Sequence, residues 1–237
     1  MSPRTAKNKG RNASGRRAAG AGAVAAARAG HRASRWWTGA AVVAVLAFAA
    51  VLIVTITQRG KTHQGPATGI PATPITTASG RQTPPPWTAP RDARAAVQQA
   101  GLPMLGSEGA VLHTHSHLNV FVDGQPVPVP ADIGIDQRAG TISPLHSHDG
   151  SGVIHIESPT KATFTLAQLF AEWQVSLSES QIGGLHTATA TELRAYVNGK
   201  QVPGNPGALP LNEHDQIVLA FGTPPASIPS TYDWGKL

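Results

Sequence analysis

The chain has 237 residues, a formal charge of +6, 14% charged residues, ten histidines and no cysteine. The missing cysteine excludes disulfides, thiolate zinc sites, iron–sulfur clusters and cysteine nucleophiles. Nine Lys or Arg and no acid occupy positions 1–35, whereas ten Lys or Arg face 13 Asp or Glu beyond them. A basic tail thus precedes a mildly acidic body, and nucleic acid is not the expected partner.

The tail, 1–35, reads as solvated and disordered. The run that follows, 36–57 (WWTGAAVVAVLAFAAVLIVTIT), carries no charge. As a helix it extends about 33 Å at 1.5 Å per residue, enough to cross a bilayer core. Trp36 and Trp37 stand at its basic end, where amphipathic rings favour the membrane interface. The tail is long for the charged segment of a signal peptide, and AFAA (47–50) lies inside the run rather than after it. The expectation is an uncleaved, single-pass transmembrane helix at the cell membrane, N-terminus inside, with the rest of the chain extracytoplasmic. Attraction of the tail to anionic lipid headgroups fits the same orientation. The stretch 58–89 contains Pro66, Pro71, Pro74 and the triplet Pro84-Pro85-Pro86. It has little to bury and reads as a disordered, semi-extended tether.

The body, 90–237, begins with PRDARAAVQQA (90–100), a short helix with Pro90 at its start and Gly101 past its end. In HTHSHLNVFVDGQPVPVP (113–130), Leu118, Val120 and Val122 alternate with His117, Asn119 and Phe121, the period of a strand, and Asp123-Gly124 signals a hairpin. GVIHI (152–156) is a further short strand. FTLAQLFAEW (164–173) is a helix, with Thr165 as cap and Leu166, Leu169, Phe170 and Trp173 on one face. LRAYV (193–197) and QIVLAF (216–221) are the last two strands. This order predicts an α+β fold: a small β-grasp-like sheet of four or five strands with one main helix across a face. The segment holding AYVNGKQV and LPLNEHDQIVLAFG is similar in pattern to the closing half of ubiquitin-like sulfur-carrier proteins. Those end in a reactive Gly-Gly, whereas Gly183-Gly184 is internal here, so no sulfur-carrier activity is implied.

The histidines carry the chemistry. Six of the ten fall in two segments: His113-x-His115-x-His117, and His146-x-His148-Asp149 with His155-x-Glu157. Alternate residues of a strand share a face, so His113, His115 and His117 project together if the strand reaches back that far. In GVIHI, Ile154 and Ile156 face the core, and Val153, His155 and Glu157 the other side. Imidazoles and carboxylates on neighbouring strands can then meet, because opposed Cβ atoms lie about 5 Å apart. Neutral imidazole suits zinc, copper and nickel, and a carboxylate completes the shell or orients a histidine from behind. The expected ligands are His115, His117, His146 and His148, joined by His155 and His113. Asp149 and Glu157 stand as ligands or supports behind them. The expected ion is zinc or copper. The competing reading is a metal-free hydrogen-bond network of the same rings. His186 and His214 read as loop and turn residues, and Ser151 in HDGSG as a small turn rather than a nucleophile. Tyr232 and Trp234 either fold back on the body or form a partner contact.

AGLPMLGSEG, HTHSHLNVFVDG, VPADIGID, SPLHSHDGSGVIHIESP, FTLAQLFAEW and AYVNGK together resemble a family of His-rich, membrane-anchored or secreted bacterial and archaeal proteins for which no activity is established. The resemblance runs from about residue 95 to the end. It implies the domain boundary and the grouping of the histidine segments, and it assigns no reaction. The expected function is therefore a non-catalytic, membrane-anchored module that holds a transition metal. The alternatives are a metal-free interaction module of an envelope or respiratory assembly, and a metal-dependent enzyme with Glu157 or Asp149 as base.

Overall fold

The computed structural model describes residues 69–235 and Leu237. The tail 1–35 and the run 36–57 lie outside the described residues. No helix among the described residues is long and apolar enough to cross a membrane.

The alternation in 118–122 belongs to the central strand, β1 (Leu112–Val122). Asp123 and Gly124 turn the chain with φ of 49° and 75°, the positive values that a tight hairpin needs. β2 (Gln125–Val127) returns antiparallel to β1. β3 (Leu145–His146), β4 (Val153–Ser158), β5 (Leu193–Val197), β6 (Lys200–Val202) and β7 (Gln216–Phe221) complete a seven-stranded sheet. Its order is β6-β5-β7-β1-β4-β3, with β2 pairing β1 off that path. β1 runs parallel to β7 and antiparallel to β4, so the sheet is mixed. A two-stranded and a three-stranded sheet lie apart from it. The α-helices among the described residues are α1 (Ala93–Gln99) and α2 (Leu166–Glu172), seven residues each.

This architecture corrects the expected α+β, β-grasp-like fold with one main helix. Among the described residues, the regular structure is mostly sheet. The principal sheet has seven strands rather than four or five, and neither helix dominates. The physical reason lies in element length. Strands as short as β3 and β6 are defined by backbone hydrogen bonds to a neighbour and leave no period to read. The helix read over 164–173 is also shorter. Thr165 is extended, with its N–H donating to Oε1 of Gln168 at 3.1 Å, and Trp173 caps the far end.

One face of the sheet packs the core. Leu118, Val120, Ile154, Ile156, Ile217 and Leu219 meet Leu166, Leu169, Phe170 and Trp173 there. On the other face, Tyr196, Val218 and Ala220 are covered with Phe121 and Ile228. Part of the expected tether joins the body: Ile70, Ala78 and Trp87 are buried. Ala78 and Leu177 exchange backbone hydrogen bonds at 2.9 Å, and Trp87 meets Trp173 edge to face at 5.8 Å. Apolar side chains among the prolines thus find partners that a scan for composition overlooks.

Candidate metal centre

Strand register assembles the site. β1 and β4 place His115 opposite His155 and His113 opposite Glu157. β3 and β4 place His146 opposite His155. Directly opposed residues point to the same face. Leu145, Ile154 and Ile156 lie on the core face, so His113, His115, His146, His155 and Glu157 occupy the reverse. The loop 132–134 clamps β3 from outside: Ser143 N–H donates to Gly134 O at 2.7 Å and Ser147 N–H to Ile133 O at 3.1 Å. Gly134 has φ 76°, and a Cβ there would lie 2.4 Å from Leu145 O and 3.1 Å from Cβ of His146. Only glycine lets the loop approach this closely.

The cluster has a dry floor and a wet rim. His115, His146 and Glu157 are buried, and His155 is 12% exposed. His113 is 55% and His148 46% exposed. Nδ1 of His146 lies 2.9 Å from the carbonyl oxygen of Ser143. A carbonyl only accepts, so Nδ1 carries the proton and Nε2 presents its lone pair. That lone pair faces Nε2 of His148 at 3.2 Å. Nε2 of His115 stands 3.1 Å from Nδ1 of His155, and the same Nδ1 stands 3.2 Å from Oε1 of Glu157. Oε1 of Glu157 is also 3.4 Å from Nε2 of His113. Its Oε2 is buried without a hydrogen-bond partner.

Burial sets the charge states. Desolvation, reinforced by neighbouring imidazoles, holds His146 down at about 3 and His155 at about 4. Burial also lowers His115. Burial first, then the Glu108 carboxylate, pushes Glu157 above the usual carboxylate range. The floor is therefore a set of neutral imidazoles at ordinary pH, the protonation state that metals need.

Among the described residues, three groups of donors can hold a metal ion, each with its ligand atoms within 4.8 Å of one another: His146, His148 and His155; His113, His115 and Glu157; and Glu108, His146 and Glu157. A tetrahedral ion with bonds of about 2.0–2.1 Å to nitrogen spaces its ligands about 3.3 Å apart. Within two of the groups, the contacts of 3.2 Å between His146 and His148 and 3.4 Å between His113 and Glu157 match that spacing. The Ser143 carbonyl behind His146 is the support that fixes tautomer and ring orientation in metal sites.

Five of the six expected histidine ligands, together with Glu157, come together here. His117 does not: its Nε2 lies 2.8 Å from Ser151 O, its Nδ1 2.9 Å from Gln216 Oε1, and its ring stacks on Tyr232 at 4.0 Å. Both of its nitrogens are committed. Asp149 is exposed and accepts the Ser151 N–H at 2.9 Å, capping its own turn. His214 donates its backbone N–H to His115 O and stacks on Trp234 at 4.6 Å. His186 is exposed on the three-stranded sheet. Two participants are absent from the sequence reading. Glu108, in the loop before β1, brings Oε1 to 3.9 Å from Nε2 of His148. Ser143 supplies the carbonyl behind His146. A lone Glu in GSEG gives no spacing signal, and a backbone carbonyl gives none at all.

No protein-family model, curated protein or solved structure matches the chain.

Proposed function

We propose that the body is a non-catalytic module that holds a transition metal, zinc or copper, on the reverse face of its main sheet. The observation that carries this is the convergence of His146, His148 and His155, with the proton of His146 drawn to the far nitrogen by Ser143. Glu108 and Glu157 share a group with the same His146, so a carboxylate oxygen can take the fourth position. A filled shell suits retention rather than catalysis. The basic tail and the uncharged run 36–57 support a body held outside the cytoplasm at the cell membrane, where an envelope or respiratory assembly would be its partner. The histidine-rich family that its motifs resemble fits this reading and adds no reaction to it.

A metal-dependent enzyme is the second reading. A cavity of about 350 Å³ lined by Glu108, Ile135, Asp136 and Thr141 supports it, because Glu108 borders both that cavity and the cluster. Elemental analysis and thermal unfolding of the full chain, with zinc or copper and with chelator, test the first reading. Bound metal with a gain in melting temperature supports it. No metal and no gain would leave the hydrogen-bond network. An exchangeable water on the bound ion, read by relaxation measurements on a copper-loaded sample, would favour the enzyme.

A further inference from the structure

We propose that the cleft holds two metal ions rather than one, with Glu157 as the bridging carboxylate. The inference rests on the metal-holding reading and adds its stoichiometry. The donors outnumber what one tetrahedral ion can use. His146, His148 and His155 form one complete group, and His113, His115 and Glu157 form another that shares no residue with it. The two are adjacent, since Nε2 of His115 in the second lies 3.1 Å from Nδ1 of His155 in the first.

Glu157 is the hinge between them. Its Oε1 faces His113 at 3.4 Å, on the side of the second group. The same residue also forms a group with Glu108 and His146, on the side of the first. Its Oε2 is buried with no hydrogen-bond partner, in a residue only 3% exposed. A buried, unpaired carboxylate oxygen is costly unless a cation or donor meets it. A bound cation supplies that partner, and the carboxylate between the two ions offsets part of their mutual repulsion. The arrangement matches a two-metal site, where a shared ligand holds ions about 3.5–4 Å apart.

The test is metal stoichiometry of the full chain by native mass spectrometry after loading with zinc, repeated with His113→Ala and Glu157→Gln. His113 is largely exposed, so its truncation leaves the fold alone. The expected result is two equivalents in the parent chain and one in each variant. Copper loading supplies the second arm: two cupric ions across one carboxylate couple magnetically, and the ordinary single-ion resonance is lost. In His113→Ala that resonance returns at one copper per chain. One equivalent in the parent overturns the second ion and leaves the metal-holding reading intact. None overturns both. Two uncoupled cupric signals overturn the bridge.

Discussion

His115 and His155 stand directly opposite each other on β1 and β4, Nε2 of the first 3.1 Å from Nδ1 of the second. Two imidazole nitrogens at that distance either share a proton or each face a bound cation. The choice between these separates a structural network from a metal site, and side chains around the pair discriminate the two.

His148→Ala removes a half-exposed ring that supports no part of the core. Stability in chelator should change by no more than about 0.5 kcal/mol. Stabilisation by zinc should fall sharply, because it follows the affinity of the ligand set. Thermal unfolding with and without zinc checks this. Equal losses in both conditions would assign the ring to a hydrogen-bond network.

Acid should weaken the metal-free chain through its floor. Folded His146 and His155 titrate at about 3 and about 4 because they are buried, against about 6.5 for a free imidazole. The unfolded chain binds the protons that the fold refuses. The stability these rings contribute is thus complete above pH 6.5 and lost as pH falls towards 4 and then 3. Each unit corresponds to about 1.4 kcal/mol, so the loss over this window is on the order of a few kcal/mol. Glu157 and Glu172, raised by burial, act in the opposite sense and favour the fold as they protonate. Unfolding midpoints measured without metal from pH 7 to 4 should decline, and less steeply in His155→Gln. A midpoint that rises on acidification would mean that the two carboxyls dominate. Free imidazoles lose metal below about pH 6. At His146 and His155 that proton competition is displaced to lower pH.

Gly134→Ala should disturb the site from behind. The added methyl meets Leu145 O and Oε2 of Glu172 at 2.4 and 2.6 Å, at a φ of 76°. Relief requires β3 to move, and β3 carries His146. A cost of about 2–3 kcal/mol in stability is expected from strain and overpacking together, with weaker zinc binding. Calorimetric titration with zinc alongside denaturant unfolding checks both. Unchanged zinc affinity would show that β3 is not what positions His146.

The C-terminal segment gives the control. Tyr232 stacks on His117 at 4.0 Å and meets Trp234 edge-on at 5.0 Å. Tyr232→Ala should cost about 1 kcal/mol of stability through lost stacking and leave zinc affinity unchanged, because His117 lies outside the donor groups. A fall in zinc affinity would bring His117 into the centre.

How much of this was legible beforehand differs by residue. The alternation in β1, the Asp123-Gly124 turn and the helical face of Leu166, Leu169 and Phe170 are written locally, and local periodicity exposes them. His113, His115, His146, His148, His155 and Glu157 are grouped by simple counting. What counting cannot supply is partnership across the chain. Gln216 is 99 positions from His117, yet it holds that ring's Nδ1. Ile70, Ala78 and Trp87 sit among prolines, and only the surface they meet reveals them as core. The two-residue β3 has no period, although it delivers His146. The fold class failed for the same reason: short edge strands, not the one conspicuous helix, set the architecture.

Anomalous diffraction from crystals of the zinc-loaded chain locates the bound ion. A peak is expected on the reverse face of the main sheet, about 2.1 Å from Nε2 of His146 and bonded also to His148 and His155. Zinc found only at exposed rings such as His186, with the cleft empty, would contradict it.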